Sequence, residues 1–218
     1  MRAKSAQTSP WAPFEDRRRA RDEKKHAVLR MAAQLFLDVG YHRATLNDVA
    51  TRLNITKPAL YNYFRSKEEI LDECYRLGQQ MADEAIAAID AAGGDGLAKL
   101  RKLIRAYALL MTIDFGMCLV RLDDRELSEE SYRRVRAEKR QDDEAFRRYI
   151  SEGVADGSIV DSDPKLAAFA IAGSLNWIGH WYRQGGDLTA EEIADQFAQL
   201  LTNGLAARRG RARNGSSA

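Results

Sequence analysis

Residues 45–70, TLNDVATRLNITKPALYNYFRSKEEI, constrain the fold more than any other segment of this 218-residue chain. A short stretch with helical apolar spacing begins at Thr45, which has Asp48 three residues on as a capping-box-like partner, and a turn is expected at Asn54. A second short helix begins after Thr56, and a third begins after Ser66, which has Glu69 at capping-box spacing. Two short helices joined by a tight turn predict a helix-turn-helix motif.

The rest of the chain also has helical periodicity, and no alternating apolar run predicts a strand. Glycine-rich breaks at 93–96 and 184–187 interrupt the pattern. We therefore predict an all-α fold with about nine helices. The expected ranges are 21–39, 45–53, 57–64, 67–92, 97–113, a broken segment over 116–122, 128–154, 163–182 and 189–207.

Composition divides the chain into four parts. Residues 1–20 are predicted to form a disordered basic arm, and residues 208–218 a disordered tail. Residues 21–68 form the helix-turn-helix domain, and residues 69–207 form a second helical domain.

The side chains around the turn are of the types that bind phosphates and base edges, so they predict a DNA-contacting surface. Cations, phenols and an amide occur close together there: Lys57, Tyr61, Asn62, Tyr63, Arg65 and Lys67. The net charge is only +2, so the chain as a whole is no polycation. DNA binding would therefore depend on this local cluster.

The sequence also indicates where such a protein works. Cys74 and Cys118 are far apart and are expected to be buried thiols of a reducing compartment. The first residues lack the apolar core of a signal peptide, and no apolar run approaches the roughly 20 residues that cross a bilayer. We expect a cytoplasmic protein without a membrane partner.

No constellation predicts an enzyme, a metal site or a cofactor. His26, His42 and His180 lie on different predicted elements, without cysteine or carboxylate at ligand spacing. The acidic pairs at 123–124 and 142–144 are best interpreted as solvated helix faces. Nucleophile-elbow, P-loop and dinucleotide-binding patterns are absent from the sequence.

Residues 32–71 resemble the N-terminal domain of the TetR family of transcriptional repressors. Order and spacing carry the resemblance, and the matching residues are Phe36, Gly40, Thr45, Val49, Ala50, Leu60, Tyr61, Tyr63, Phe64, Ser66, Lys67 and Glu68. Two positions depart from the family pattern. Asn54 replaces a glycine in the turn, where asparagine also accepts a left-handed backbone. Pro58 replaces a small residue of the recognition helix, which can change the bases that are contacted.

The resemblance and the side-chain chemistry together suggest DNA-contact roles. Lys57 and Asn62 suit guanine and adenine edges, and Thr56, Pro58 and Ala59 are further base-contact candidates. Phosphate contacts are expected from Thr45, Tyr61, Tyr63 and Lys67. Tyr63 could instead pack between helices. The basic residues at 17–21 could contact DNA or be an ordinary solvated helix start.

The resemblance further implies that the second domain binds a ligand and forms a homodimer. The last two helices would pack against a partner copy as a four-helix bundle. The expected interface residues are Leu166, Phe169, Ala170, Gly173, Leu175, Trp177, Ile193, Phe197, Leu200 and Leu201. A dimer also suits DNA recognition, because one short helix contacts few base pairs.

The ligand is expected to be a hydrophobic small molecule. Candidate binding residues are Tyr107, Met111, Phe115, Cys118, Phe146, Tyr149, Trp177, Trp181 and Arg183, although core positions have the same apolar pattern. The stretch NWxxHWYR at 176–183 is similar to family members that respond to acyl-CoA thioesters. An acyl-CoA is therefore one possible effector, and another hydrophobic or xenobiotic compound is the alternative.

The resulting prediction is a repressor that binds a palindromic operator as a homodimer and is released by its effector. The predicted helix over 67–92 would connect the DNA-contacting domain with the ligand site. An architectural DNA binder without an effector is the competing class, and it would need no apolar cavity.

Overall fold

The computed structural model describes residues 14–121 and 128–206. Over these residues the chain forms nine α-helices, as predicted, and an isolated bridge between Ile159 and Ala206. The helices are α1 Phe14–Val39, α2 Leu46–Arg52, α3 Lys57–Tyr61, α4 Lys67–Ala92, α5 Gly96–Leu110, α6 Asp114–Arg121, α7 Glu129–Asp156, α8 Pro164–Trp181 and α9 Ala190–Asn203.

Helix α1 begins earlier than the sequence predicted. It begins at Phe14 rather than at Arg21, so residues 14–20 are helical and do not belong to a disordered arm. The prediction relied on an apolar stripe, and this stripe starts only at Val28. The other residues predicted to be disordered, 1–13 and 208–218, lie outside the described residues.

The chain divides into two compact units between Glu73 and Cys74, within α4. The predicted boundary lay between residues 68 and 69. Unit 1 buries apolar residues of α1 to α3 and the start of α4 in one core: Val28, Leu29, Ala32, Phe36, Leu46, Val49, Leu60, Phe64 and Ile70. Since Leu60 and Phe64 are almost fully buried, they fix the orientation of the short helix α3.

The turn between α2 and α3 has the predicted left-handed backbone. Asn54 has a φ of 52°, the only positive φ of a non-glycine residue in the described chain. The Ile55 amide donates to the Ala50 carbonyl, and the Asn54 amide donates to the Thr51 carbonyl. These two hydrogen bonds form a Schellman motif, in which asparagine replaces the usual glycine.

The helix caps were predicted correctly at α2 and only in part at α4. Thr45 and Asp48 form a reciprocal capping box at α2. At α4 the Glu69 amide donates to Ser66 Oγ, but the Glu69 carboxylate accepts from the Arg65 amide at 2.6 Å rather than from Ser66. The carboxylate thus stabilises the preceding turn as well as the helix start.

Unit 2 is built around α5, which packs against α7, α8 and α9. Its core includes Leu100, Ile104, Phe146, Ile150 and Leu175. At the start of α5, a Cβ on Gly96 would lie 2.1 Å from the backbone nitrogen of Gly153 on α7. Only glycine allows these two helices to approach so closely.

Helix α6 is held against α8 by close packing and by a side-chain cap. A Cβ on Gly179 would lie 2.4 Å from Val120 Cγ2, so a larger residue on α8 would force Val120 to shift. Arg121 Nε donates to the Gly179 carbonyl at 2.5 Å, and Nη2 donates to the His180 carbonyl at 3.2 Å. Arg121 therefore satisfies carbonyl groups at the C-terminal end of α8.

Within the described residues, no single helix has the length and apolarity to cross a membrane; α5 and α6 meet that test only as a pair bent by 90°.

The left-handed turn predicts opposite effects for two substitutions of Asn54. Asn54→Ala should lower the free energy of unfolding by about 1 kcal/mol, because alanine disfavours a positive φ. Asn54→Gly should be neutral or stabilising, because glycine adopts this backbone without a Cβ clash. Urea unfolding at one protein concentration measures both; equal losses for the two variants would contradict the explanation.

Candidate DNA-contact surface and apolar cavity

Helix α3 presents polar and small residues outward from unit 1. Thr56, Lys57, Pro58 and Asn62 are exposed, and Ala59 is partly buried. Thr56 is the N-cap, and its Oγ1 accepts from the Ala59 amide at 3.4 Å. All five residues predicted to contact base edges therefore lie in or next to α3.

Two of the predicted contact residues on α3 are arranged as a pair. Lys57 Nζ lies 6.0 Å from the centroid of the Tyr61 ring, which is 43% exposed. This distance is at the limit of a cation–π interaction, so the ammonium group keeps most of its hydration. Lys57 has no hydrogen-bond acceptor among the described residues, which leaves its donors available to a partner.

Thr45 is exposed, but its hydroxyl is already engaged within the protein. Its Oγ1 donates to Asp48 Oδ2 at 2.7 Å, and its backbone amide donates to the same oxygen at 2.9 Å. These hydrogen bonds from Thr45 lower the pKa of Asp48. Thr45 could therefore donate its hydroxyl to a phosphate only by leaving the cap.

Lys67 has a structural role that the sequence did not reveal. Its Nζ donates to the carbonyl oxygens of Tyr41 at 2.7 Å and His42 at 3.2 Å, and it lies 4.6 Å above the Tyr41 ring. It therefore ties the start of α4 to the turn that follows α1, and fewer of its donors remain for a phosphate. Tyr63 is partly buried, so packing accounts for part of its surface.

Unit 2 has an uncovered apolar face on α8 and α9. Large apolar side chains are exposed along one stripe of α8 and at one position of α9: Leu166, Phe169, Trp177, Trp181 and Leu200. Trp177 stacks on His180 with ring centroids 5.0 Å apart, and Trp181 stacks on Phe197 at 6.5 Å. Large apolar patches of this kind mark interaction surfaces.

The outward stripe was predicted with two errors. Leu175 and Ile193 were expected on this face, yet both are buried in the core of unit 2. They lie on the inward side of their helices, and an apolar pattern alone does not distinguish two apolar sides of one helix.

An apolar cavity of about 280 Å³ lies between α4 and α5 in unit 2. Its wall consists of Met81, Ala82, Ala85, Leu103, Ala106, Tyr107, Leu109, Leu110 and Ile113. Alanine at three of these positions leaves space between the helices, and no lining residue carries a charge. The cavity can therefore hold an uncharged, apolar group.

The one polar group in this wall already has a partner. Tyr107 donates its hydroxyl to Asn176 Oδ1 at 3.0 Å, which links α5 to α8. The Tyr107 ring packs edge-on against Phe146, with ring centroids 5.6 Å apart. An occupant of the cavity would therefore contact a ring whose position is fixed by α7 and α8.

Of the nine predicted ligand-binding residues, Tyr107 is the one that lines this cavity. Met111, Cys118, Phe146 and Tyr149 are buried elsewhere in the core, and Phe115 is partly buried on α6. Trp177, Trp181 and Arg183 are exposed and do not line it. Eight of the predicted residues therefore do not line this cavity, and cavity walls and core have the same apolar composition in the sequence.

The lining residues that the sequence did not identify include Met81, Ala82 and Ala85 on α4 and Ala106 on α5. The small residues among them could have indicated the cavity from the sequence. Small residues on the facing sides of two consecutive helices leave a gap unless another side chain fills it.

The cysteines and acidic residues add no further chemistry. Burial raises the pKa of the Cys118 thiol to about 12, so it stays protonated near neutral pH. Cys74 is also a buried cysteine. Across residues 14–121 and 128–206, no group of His, Cys, Asp or Glu is arranged to hold a metal ion.

Comparison with known families identifies both units. Residues 28–74 match the family described as bacterial regulatory proteins of the tetR family. Residues 93–205 match the tetracyclin repressor-like C-terminal domain.

Curated relatives agree over most of the chain. The transcriptional repressor KstR2 of Rhodococcus jostii is 27% identical over 198 residues, which cover 89% of this chain and 97% of the relative. KstR2 of Mycolicibacterium smegmatis is 26% identical, over 84% of this chain and 90% of the relative.

Two solved structures have the same architecture. A TetR/AcrR-family regulator from Thermobifida fusca is 32% identical with a TM-score of 0.62, covering 84% of this chain and 98% of that structure. AibR in complex with isovaleryl coenzyme A and operator DNA is 26% identical with a TM-score of 0.69, covering 82% and 97%.

Proposed function

Because this chain belongs to the TetR family of bacterial transcriptional regulators, we propose that it is a homodimeric repressor controlled by an acyl-CoA thioester. It binds a palindromic operator through α3 of each copy and leaves the operator when the acyl group enters the cavity of unit 2. The apolar cavity between α4 and α5 is the observation that carries this proposal. An architectural DNA binder would need no such space.

The DNA contact rests on the exposed side of α3. Lys57, Asn62 and the small residues between them present donors and apolar surface on a helix whose opposite side is anchored by Leu60 and Phe64. A short helix of this kind fits the major groove, and two copies about 34–36 Å apart would contact successive turns of a palindrome. Lys57 suits the guanine acceptors N7 and O6.

The assignment of Lys57 predicts a loss of sequence discrimination. Lys57→Ala should weaken binding to the operator by about 1–3 kcal/mol at one base pair and reduce the preference for that base. Anisotropy titrations of labelled operators, substituted one base pair at a time, measure this.

Lys67→Ala is the contrasting variant. It should weaken binding to all duplexes alike, because it loosens the turn after α1 and removes a cation near the backbone. If the Lys57→Ala variant discriminated between base pairs as well as the wild type does, a base contact by Lys57 would be excluded.

The dimer would form through the apolar face of α8 and α9. Trp177 is 63% exposed and Leu200 is 69% exposed, which is unusual for large apolar side chains outside an interface. Gly173 has open space around its Cβ position, so a partner helix could approach α8 closely there.

This face predicts the oligomeric state of charged variants. Trp177→Glu combined with Leu200→Glu should shift the protein from dimer to monomer, because two buried carboxylates would lack partners. Sedimentation equilibrium measures the shift. Ile55→Glu is the control, since Ile55 is an exposed apolar residue of unit 1; a double variant that remains as dimeric as this control would exclude the face.

The effector class follows from the size and the chemistry of the cavity. At about 280 Å³ the cavity lies near the lower end of small-molecule sites, which span about 300–1,000 Å³. It can hold an acyl group but not a whole coenzyme, and its wall offers no cation to a free carboxylate. An acyl-CoA thioester fits the small volume and the uncharged wall, because its acyl part is uncharged and its phosphates can stay in solvent. The AibR complex with isovaleryl coenzyme A supports the same class.

Filling the cavity should separate effector response from DNA binding. In the wild type, one member of a panel of acyl-CoA thioesters should release a labelled operator fragment. Ala85→Leu should abolish this release and leave operator affinity within about twofold, because leucine occupies the space of the acyl group.

Ala88→Leu is the matched control, since Ala88 is exposed on the same helix and does not line the cavity. It should respond like the wild type. Release of the Ala85→Leu variant by the same thioester would exclude the cavity as the effector site. Specific binding unaffected by the whole panel would retain the DNA contact and exclude a thioester effector.

A further inference from the structure

The described side chains in the first turns of α1 are exposed rather than packed against unit 1. Asp16 and residues 18–24 are all exposed, and the first buried residue of the helix is Val28. We call residues 14–24 the α1 extension. It lies before residue 28, where the match to the regulatory family begins.

Cations predominate on one side of the α1 extension. Arg18, Arg21 and Lys24 recur every three residues, which places them within about 120° on a helix of 3.6 residues per turn. Asp16 and Glu23 lie on the opposite side, and Asp22 lies at the edge of the basic side, about 40° from Arg18. Arg19 is the exposed arginine on that acidic side and therefore provides an internal comparison.

The basic side of the α1 extension continues the face that packs onto the helix-turn-helix. Val28, Leu29 and Ala32 follow on the same side of α1 and are buried in the core of unit 1. Between the two parts, Lys25 Nζ lies 5.4 Å from the Phe64 ring centroid and bonds Glu73 at 2.6 Å. Lys25 therefore holds the helix next to the α1 extension against the start of α4 and against the core that orients α3.

The cations of this side are unpaired within the protein. Arg18, Arg21 and Lys24 have no hydrogen bond or ion pair with any residue of the described chain. Residues 18–24 are exposed, so they gain little stability from packing and would be stabilised by a partner of opposite charge. If unit 1 binds an operator, the phosphate backbone of that DNA is the nearby partner of opposite charge.

We propose that the α1 extension is a second DNA-contact element, in which Arg18, Arg21 and Lys24 bind backbone phosphates flanking the bases contacted by α3. The inference rests on the proposed operator binding. Eleven residues extend about 16 Å along the helix axis, which matches the rise of about four to five base pairs. The contacts are electrostatic and independent of base sequence, so they add affinity without discrimination.

Salt dependence provides the test. Full-length wild type, Arg21→Ala and Arg19→Ala are titrated onto a labelled 40-base-pair duplex of unrelated sequence and onto the operator, between about 50 and 300 mM KCl. Each lost phosphate contact lowers the slope of log affinity against log salt by about 0.9, so Arg21→Ala should lower it by about 1.8 in a dimer. Both duplexes should show the same reduction.

Arg19→Ala is the matched control, because it removes the same charge from the same helix on the acidic side. It should leave the slope near the wild-type value. Alanine favours helix more than arginine does, so neither variant should unfold the α1 extension, and far-UV circular dichroism verifies this. The triple variant Arg18→Ala, Arg21→Ala, Lys24→Ala should lower the slope further than Arg21→Ala.

The possible failures are distinguishable. Equal slopes for wild type and Arg21→Ala, or equal reductions for Arg21→Ala and Arg19→Ala, would overturn the α1 extension as a DNA contact while operator recognition by the wild type remained intact. A wild type that binds every promoter fragment no better than the unrelated duplex would instead exclude the proposed repressor function.

Discussion

Each helix of this protein is stabilised by burying an apolar side. The proposed contact surfaces lie on the opposite, exposed sides of such helices. Helix α3 is the clearest case, because five residues are too short to be stable alone. The burial of Leu60 and Phe64 holds it, and the left-handed turn at Asn54 sets its direction. The exposed side of α3 is then available to contact a partner without any cost to the core of unit 1.

The same constraint explains the contrast between the core and the cavity of unit 2. Gly96 and Gly179 bring helices close enough that a single added carbon would clash with a neighbouring helix. Between α4 and α5, alanines face each other without such close contact and leave a cavity of about 280 Å³. Unit 2 can tolerate this cavity, because the closely packed contacts of α5 with α7, α8 and α9 stabilise it. An effector would gain apolar contacts there that the protein itself does not make.

Much of unit 1 could be predicted because its determinants are local. Thr45 with Asp48 and the turn residue Asn54 act within a few positions of the chain, so spacing alone identifies them. The prediction failed where a partner is distant in sequence or where an apolar stripe is absent. Lys67 binds carbonyl groups about 25 residues away. The first turns of α1 carry no apolar period, so they were assigned to a disordered arm.

The sequence by itself determined the all-α class, most helix positions and the helix-turn-helix, because helix periodicity and capping are encoded over short distances. The tertiary structure decided which apolar residues are core, cavity wall or outer face. Trp177 and Phe146 have similar apolar chemistry, yet one is exposed on α8 and the other is buried behind Tyr107. Burial depends on which helices pack together, and that information is carried by contacts between residues far apart in the chain.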